Sequence, residues 1–314
     1  MNPDEVLIDD KWILSKRGSK NQISPKFPYH WFIEKERTAK GVVEDVLTIF
    51  LSNKECPFKC LMCDLWKNTT DRNSIPGQIP HQISWVLEKY ASLPNHIKLY
   101  NNGNFFDHAA IPKEDYSAIA GLLSSFETVL VENHPKMVNS STFEFQELLK
   151  PQLQVAMGLE TSNRDVLKRL NKGMTLDDFS AAAGLLSEGG IKMRAFILLK
   201  PPFLDEQEGI IWAKKSIDYA LNVGVECCVV IPTRGSDVLG HLSESQYSPP
   251  RISSLEEVLE YGLSLDKGRV FGDVWDLKQF STCGSCFTLR ESRINRMNLD
   301  QVYTSGAVCA ACDE

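Results

Sequence analysis

This sequence of 314 residues lacks the features that mark several special classes of protein. No apolar run approaches the ~18 residues that a membrane-spanning helix needs. The stretch from Met1 to Trp12 is acidic and has neither the basic start nor the apolar segment of a signal peptide. No Gly/Ser linker, internal repeat or low-complexity tract divides the chain. These absences predict a globular, cytoplasmic protein without a membrane partner.

The chain also lacks an excess of positive charge: 41 Asp and Glu outnumber 34 Lys and Arg, the net charge is −7 and the pI is about 5.5. Proteins that bind nucleic acids rely on Lys and Arg to neutralise phosphates. The short basic run from Lys16 to Lys20 is more typical of a solvated surface than of a nucleic-acid site. The charge balance therefore disfavours a tRNA partner, although it leaves one open.

Cysteine, in contrast, is plentiful, with nine residues. The chain is too long for a small disulfide scaffold, has no secretory signal and spaces its thiols like metal ligands, so a reducing compartment fits better. Cys227 and Cys228 are adjacent in an apolar run and are expected to be small buried hydrophobes.

The order of the apolar runs predicts an α/β fold. Helix signals between the runs include a hydroxyl N-cap at Thr175 and a stop at Gly189-Gly190. Short runs separated by helix-length segments indicate parallel βαβ units, which right-handed crossovers curl into a barrel or partial barrel. We expect an N-terminal extension (1–42), a barrel (43–265) and a small C-terminal cysteine-rich module (266–314). The predicted strands are 45–51, 97–101, 127–132, 154–160, 193–199 and 226–231.

Three cysteines, Cys56, Cys60 and Cys63, follow the first of these strands in the spacing C-x3-C-x2-C. Cysteine thiolates are the usual ligands of iron–sulfur clusters, and a [4Fe–4S] cluster held by three of them keeps one iron open for a substrate. A zinc site lacking one ligand and three structural thiols are the alternatives. Structural zinc sites are normally closed by four ligands in paired motifs, which this loop lacks.

This cysteine spacing resembles that of the radical S-adenosylmethionine (radical SAM) superfamily. Three further segments, 158–161, 170–175 and 200–203, resemble the branch that contains the archaeosine-biosynthesis lyase, and more distantly the elongator acetyltransferase subunit. The resemblance covers roughly residues 40–265.

The resemblance implies a partial (β/α)6 TIM-like barrel and a [4Fe–4S] cluster whose free iron chelates the amino and carboxylate groups of SAM. It also implies reductive cleavage of SAM to a 5′-deoxyadenosyl radical, with electrons from an external donor such as flavodoxin or ferredoxin. Relatives commonly carry an aromatic residue where this chain has Met62, which can still pack on adenine.

The residues at the ends of the second and third strands are candidate SAM contacts, because ligands gather at the carboxyl ends of parallel strands. The resemblance implies a Gly-Gly-Glu-like segment for the SAM amino group after the second strand. Here Asn102, Gly103 and Asn104 stand in that place without a glutamate, and an ordinary turn is the alternative. Glu132 ends the third strand and is expected either to orient SAM or substrate or to pair with a lysine.

Three more candidates follow the later strands. Glu160 is the candidate for the SAM ribose hydroxyls, with Ser162 behind it; a helix cap is the alternative for Glu160. Lys200 is a candidate partner for a carboxylate of SAM or substrate, and a lysine that reaches water is the alternative.

The tail carries Cys283-x2-Cys286 and Cys309-x2-Cys312, with 22 residues between the two pairs. Four thiolates in two such pairs predict a metal site, which is either tetrahedral zinc or a second [4Fe–4S] cluster. The spacing does not decide between zinc and a cluster; the cluster is slightly preferred because the cysteine loop already requires cluster loading. A pair of disulfides is the alternative to a metal site, and a reducing compartment disfavours it.

Together these features predict a radical SAM enzyme that abstracts hydrogen from a small-molecule or nucleoside-type substrate. Sulfur insertion or electron transfer by a tail cluster is a further option. The alternatives are a tRNA-modifying lyase of the archaeosine type and a non-catalytic iron–sulfur or zinc protein.

Overall fold

The computed structural model describes residues 7–306 and 309–312. Its centre is one sheet of eight strands that lie side by side in the order of the sequence. The first strand is antiparallel to the second, and every later pair is parallel. The strands are β1 (His30–Arg37), β2 (Val43–Phe50), β3 (His96–Tyr100), β4 (Thr128–Glu132), β5 (Gln152–Glu160), β6 (Lys192–Leu199), β7 (Cys227–Pro232) and β8 (Arg269–Gly272).

The six predicted strands correspond to β2 through β7, and the prediction of a partial α/β barrel is confirmed. Two strands were not predicted. β1 lies in the predicted N-terminal extension and β8 in the predicted C-terminal module, so the sheet runs past both of the expected domain boundaries. Each of those two segments also includes residues outside the described ranges.

Helices connect the parallel strands and cover the convex face of the sheet, as βαβ units require. The predicted N-cap at Thr175 is present, and Asp178 closes a reciprocal capping box with it. The helices in the described part of the chain are α1 (Asp10–Lys16), α2 (Gln78–Leu87), α3 (Tyr116–Leu122), α4 (Ser140–Leu148), α5 (Arg164–Arg169), α6 (Leu176–Glu188), α7 (Glu206–Asn222), α8 (Ile252–Ser264) and α9 (Phe287–Asp300). None of them is long and apolar enough to cross a membrane.

The two faces of the sheet differ in chemistry because successive side chains on a strand point to opposite sides. Leu47, Ile49 and Leu99 point outward and are fully buried in the main core beneath the helices. Their neighbours point into the hollow of the partial barrel. Polar and aromatic side chains dominate this concave face, whereas aliphatic ones dominate the convex face.

A buried ion cluster lies in the hollow at the end where the parallel strands begin. Glu36 of β1 binds Arg194 of β6 through two hydrogen bonds, of 2.5 and 3.0 Å, and accepts a third contact from Lys98 of β3 at 2.5 Å. Strands β1, β3 and β6 are not neighbours, so these side chains meet across the hollow. Burial alone would raise the pKa of Glu36, but Arg194 and Lys98 outweigh it and hold that pKa far below its usual value.

Candidate functional site

The cysteine loop lies at the opposite end of the hollow, directly after β2, and packs against the segment that follows β3. Gly103 makes this approach possible, because a Cβ at that position would lie 3.2 Å from Cβ of Cys56. Cys60 is buried, Cys56 and Cys63 are half-buried, and all three thiols are free. A cavity of about 340 Å³ opens beside Cys56.

The sulfur of Cys56 is held by a short chain of hydrogen bonds. Nδ2 of Asn104 donates to Sγ of Cys56 at 3.3 Å, and Oδ1 of Asn104 accepts the backbone N–H of His134 at 2.7 Å. The ring of His134 stacks on Phe58 of the cysteine loop, with centroids 3.7 Å apart and an angle of 12°. The end of β4 therefore supports the cysteine loop through both an amide and an aromatic contact.

His134 supports the cysteine loop as an uncharged imidazole ring. Its Nδ1 accepts the backbone N–H of Lys136, so Nε2 carries the proton and donates to the carbonyl of Lys172 at 3.0 Å. Burial, followed by the nearby Lys172 charge, lowers the pKa of His134 to about 3. The ring stays uncharged across the physiological range.

Lys172 places a positive charge near the thiols of Cys56 and Cys60. Its ammonium lies 2.5 Å from Oε1 of Glu160, and both side chains are buried. Burial alone would lower the pKa of Lys172, but Glu160 and the thiols of Cys60 and Cys56 outweigh it and raise that pKa. Gly158 leaves room for this pair, because a Cβ there would lie 2.2 Å from Glu160 and 2.6 Å from the lysine nitrogen.

The N-terminal segment clamps the outer side of the cysteine loop through Glu55. Its carboxylate binds Arg17 at 2.7 Å, Lys20 at 2.9 Å and Lys59 at 2.7 Å. Burial would raise the pKa of Glu55, but Lys59, Lys20 and Arg17 lower it to about 2. The segment before β1 is therefore bound to the loop by ion pairs.

The donor set fits an iron–sulfur cluster. Burial raises the pKa of Cys56 and Cys63 and raises that of Cys60 to about 12, so a bound cation is needed to keep these sulfurs as thiolates. Lys172 and the Asn104 amide offset their negative charge. Among the described residues, Cys56, Cys60 and Cys63 do not form a group close enough to hold a single metal ion. That spacing disfavours mononuclear zinc in the loop, whereas a cubane spreads its ligand sulfurs roughly 6 Å apart.

Two of the predicted SAM contacts shape the loop after β3. Oε1 of Glu132 accepts the backbone N–H groups of Asn101 at 2.7 Å and Gly103 at 3.3 Å, and burial raises the pKa of Glu132 to about 7. The amide of Asn102 accepts from the hydroxyl of Tyr29 at 2.8 Å and donates to a backbone carbonyl. Both side chains hold this loop in place beside Cys56.

The structure places two other predicted contacts against the outer helices. The ammonium of Lys200 donates to Glu206 at 2.8 Å, to Ser248 at 3.0 Å and to a backbone carbonyl at 3.2 Å, which uses all three of its N–H groups. The backbone N–H of Ser162 donates to Ser216 on α7 at 2.7 Å. These interactions give Lys200 and Ser162 structural partners, and neither joins the group around Cys56.

Met62 is half-buried and packs between two small apolar clusters, one with Leu61 and one with Leu170. Its thioether therefore lies at the junction of the cysteine loop with the segment after α5. Glu160 lies close enough to affect the pKa of Cys60 and is joined to the site through Lys172.

Aromatic rings line the hollow between the cysteine loop and the ion cluster. The ring of Phe196 on β6 lies 6.4 Å from that of Tyr100 on β3, which lies 5.4 Å from Phe50. Phe32 of β1 continues the row at 5.9 Å from Phe50 and stacks on Trp275 at 6.0 Å. Because β3 and β6 are not adjacent, these rings meet across the hollow as one aromatic row.

The tail cysteines form a separate group. Among the described residues, Cys283, Cys286, Cys309 and Cys312 are the one set of Cys, His, Asp and Glu side chains placed to hold a metal ion, with sulfurs within 4.8 Å of one another. Backbone N–H groups of Cys286 and Ser285 lower the pKa of Cys283 to about 6. The predicted C-terminal metal-binding group is thus assembled by the fold.

Comparison with known proteins finds relatives of the predicted kind, although no protein-family model matches the chain. The archaeosine synthase subunit beta of Methanosarcina acetivorans is 28% identical over 235 residues, which cover 70% of this chain and 67% of the relative. The Thermococcus kodakarensis protein of the same name is 30% identical over 210 residues, or 64% of this chain and 65% of the relative. An uncharacterized protein of Methanocaldococcus jannaschii is 26% identical over 231 residues. That match covers 68% of this chain and 63% of the relative, so the chain spans about two thirds of its curated relatives.

Solved structures give the fold. The Elp3 protein of Methanocaldococcus infernus superposes with a TM-score of 0.51 at 16% identity, over 71% of this chain and 59% of that one. Methylornithine synthase superposes with a TM-score of 0.50 at 15% identity, over 70% and 63%. Both are radical SAM proteins. The chain has the radical SAM fold. The resemblance that the cysteine spacing predicted is confirmed.

Within the radical SAM fold, the sequence did not single out three residues that support the cysteine loop: Phe58, His134 and Lys172. Each has a partner that lies far along the chain, so no local motif marks it. The aromatic row was also missed. The alternation along β2 could have indicated part of this row, because it places every second side chain, Val46, Thr48 and Phe50, in the hollow.

Proposed function

We propose that this protein is a radical SAM enzyme that acts on a small-molecule or nucleoside-type substrate bound in the hollow of its partial barrel. The observation that carries the proposal is the set of three free, largely buried thiols, Cys56, Cys60 and Cys63, at the carboxyl end of β2, with the aromatic row in the same hollow. When bound there, a [4Fe–4S] cluster with SAM supplies one-electron reduction of the sulfonium and a 5′-deoxyadenosyl radical for hydrogen abstraction.

The chain's own residues position this chemistry. The three cysteines would hold the cluster, and Asn104 would donate a hydrogen bond to one of its sulfur ligands. Lys172 would offset the negative charge of the thiolates, while Glu160 keeps that lysine in place and offers its second oxygen to the ribose hydroxyls. Gly103 would offer its backbone carbonyl beside Cys56, where the SAM amino group would lie. Met62 is the proposed apolar contact for adenine.

The aromatic row favours a planar substrate. The rings of Phe196, Tyr100, Phe50 and Phe32 offer stacking and edge contacts. A nucleobase meets these demands, and two relatives bear the name archaeosine synthase subunit beta, which favours a modified nucleoside. Such a nucleoside within tRNA is the second candidate, against which stands the net charge of −7.

The proposed partners follow from the chemistry. Reduction of the cluster requires an external one-electron donor such as a flavodoxin or ferredoxin. Free thiols at all nine cysteines suit a reducing compartment, and we propose the cytoplasm.

The test is SAM cleavage by the full chain after anaerobic reconstitution with iron, sulfide, SAM and dithionite. We expect 5′-deoxyadenosine from the unaltered protein and none from variants with alanine at Cys56, Cys60 or Cys63. Cys228→Ala is the matched control, because Cys228 lies in the core on the convex face, and it should retain cleavage. Retention of 5′-deoxyadenosine by the three loop variants would refute the proposal.

The substrate class is tested by adding either nucleosides or tRNA to the reconstituted enzyme. A nucleoside-type substrate should raise the yield of 5′-deoxyadenosine above the level seen with SAM alone. Binding of tRNA that weakens steeply as salt rises would instead favour the second candidate.

A further inference from the structure

The distances among the four tail sulfurs identify the kind of metal centre that they build. Sγ of Cys283 lies 3.9 Å from Sγ of Cys309, and Sγ of Cys286 lies 3.7 Å from Sγ of Cys312. All four sulfurs lie within 4.8 Å of one another. Each pair thus joins the turn before α9 to the segment after it.

These distances match one centre and contradict two others. A tetrahedral ion with sulfur ligands at about 2.3 Å holds those sulfurs about 3.8 Å apart. A [4Fe–4S] cube binds its four thiolates on four different irons and needs them roughly 6 Å apart. A disulfide needs a bond of about 2.05 Å. The tail sulfurs are too close for the cube and too far apart for disulfides.

We propose that Cys283, Cys286, Cys309 and Cys312 bind one mononuclear zinc ion in a closed tetrahedral site, and that this ion fixes α9 over the edge of the sheet. The donor set leaves no coordination position for a substrate, which is the arrangement of structural zinc sites. The role is therefore structural, and the tail supplies neither sulfur nor electrons to the hollow of the barrel. This inference does not depend on the chemistry proposed for the cysteine loop.

Charged side chains around the site fit such a centre. Four thiolates and one divalent cation carry a net charge of about −2. Nε of Arg290 donates to Sγ of Cys286 at 3.4 Å, and the other end of this guanidinium binds Glu256 on α8. Nη1 of Arg293 also binds Glu256, at 2.9 Å. The buried arginines thus offset the charge of the centre and join it to the barrel, as hydrogen-bonded outer residues commonly do at metal sites.

The same module protects the last strand of the sheet. In the described part of the chain β8 has no further strand beside it, so its outer N–H and carbonyl groups need other partners. Asn298 of α9 pairs with both backbone groups of Gly272, at 2.8 Å each. Gln301 does the same for Val270, at 2.8 and 2.9 Å. A metal ion that ties the segment after α9 to the turn before it would help to keep these amides on the edge.

The first experiment is metal analysis of the full chain. We expect about one zinc per chain, and a visible spectrum typical of a tetrahedral tetrathiolate site after cobalt replaces it. A Cys309→Ser, Cys312→Ser double variant should lose the zinc, whereas the matched Cys56→Ala, Cys60→Ala, Cys63→Ala variant should retain it. Three results would each overturn the proposal. These are iron and sulfide that depend on the tail cysteines, mononuclear iron in place of zinc, and no metal at all.

A second experiment avoids the ligands, in case the double variant does not fold. Arg290→Met leaves all four cysteines in place and should weaken zinc retention against a chelator by about 10- to 100-fold. The matched control is Arg296→Met, because Arg296 is exposed on the same helix, and it should behave as the unaltered protein.

Hydrogen exchange tests the structural role directly. Removing the zinc should accelerate amide exchange in β8 and α9 while β3 and β4 remain protected. Unchanged exchange in β8 and α9 after verified zinc loss would refute the edge-covering role.

Discussion

The amide nitrogen of Asn104 donates to the sulfur of Cys56 at 3.3 Å. A hydrogen bond to a ligand sulfur stabilises the thiolate and tunes any cluster that it holds. We therefore expect Asn104→Ala to lower the rate of SAM cleavage by about 10- to 100-fold and to shift the reduction potential of the cluster. Asn95→Ala, at the far end of the barrel, is the control. An unchanged potential in the Asn104 variant would show that this contact does not reach the cluster.

Gly103 is predicted to be intolerant of any side chain. A Cβ there would lie 3.2 Å from Cβ of Cys56, so either the cysteine loop or the segment after β3 must move. We expect Gly103→Ala to reduce iron incorporation, measured as iron per chain after reconstitution. Gly121→Ala is the matched control, because a Cβ at Gly121 in α3 meets nothing within 4 Å. Equal iron loading of both variants would contradict this account.

The buried pair of Lys172 and Glu160 allows a double-mutant cycle. Lys172→Met leaves the Glu160 carboxylate buried without its 2.5 Å partner, which should lower the free energy of unfolding by about 3–5 kcal/mol. Adding Glu160→Gln should recover much of that loss, since no buried charge then remains. Urea unfolding of the two single variants and the double variant measures the coupling. Additive losses would show that the two side chains act independently.

Glu36 should make stability depend on acid pH. Its pKa is held far below the ordinary value of 4.5 in the folded protein, so it stabilises the fold fully above pH 4.5 and less as pH falls below that value. The free energy lost in Glu36→Gln, measured by urea unfolding, should be about 1.4 kcal/mol smaller at pH 3.5 than at pH 7.5. Glu34→Gln is the control, because Glu34 is more exposed than Glu36. Of the cations in the cluster, Glu34 binds only Lys98. The same loss at both pH values would rule out a lowered pKa.

Local patterns in the sequence predicted the parallel part of the fold and the cysteine loop. Buried parallel strands are nearly continuous apolar runs, and the ligands of the loop lie within eight residues of one another. β1 was missed because Glu34 and Glu36 interrupt its apolar character; these carboxylates point into the hollow, where Lys98 and Arg194 bind them. β8 was missed because it has only four residues.

Long-range pairing explains the weaker predictions at the site. The strand-end positions of Ser162 and Lys200 were predicted, but their partners Ser216 and Ser248 lie about 50 residues further along the chain. Only the fold reveals these contacts. The tail spacing likewise predicted a metal site, whereas the distances between its sulfurs required the folded chain.

The central claim is that Cys56, Cys60 and Cys63 hold a cluster with one iron open to SAM. The most direct measurement is the low-temperature EPR spectrum of the reduced, reconstituted protein before and after SAM is added. The account predicts a [4Fe–4S] signal that changes when SAM binds and that is absent from the triple alanine variant. A loop that holds only zinc, or a cluster signal that SAM leaves unchanged, would contradict it.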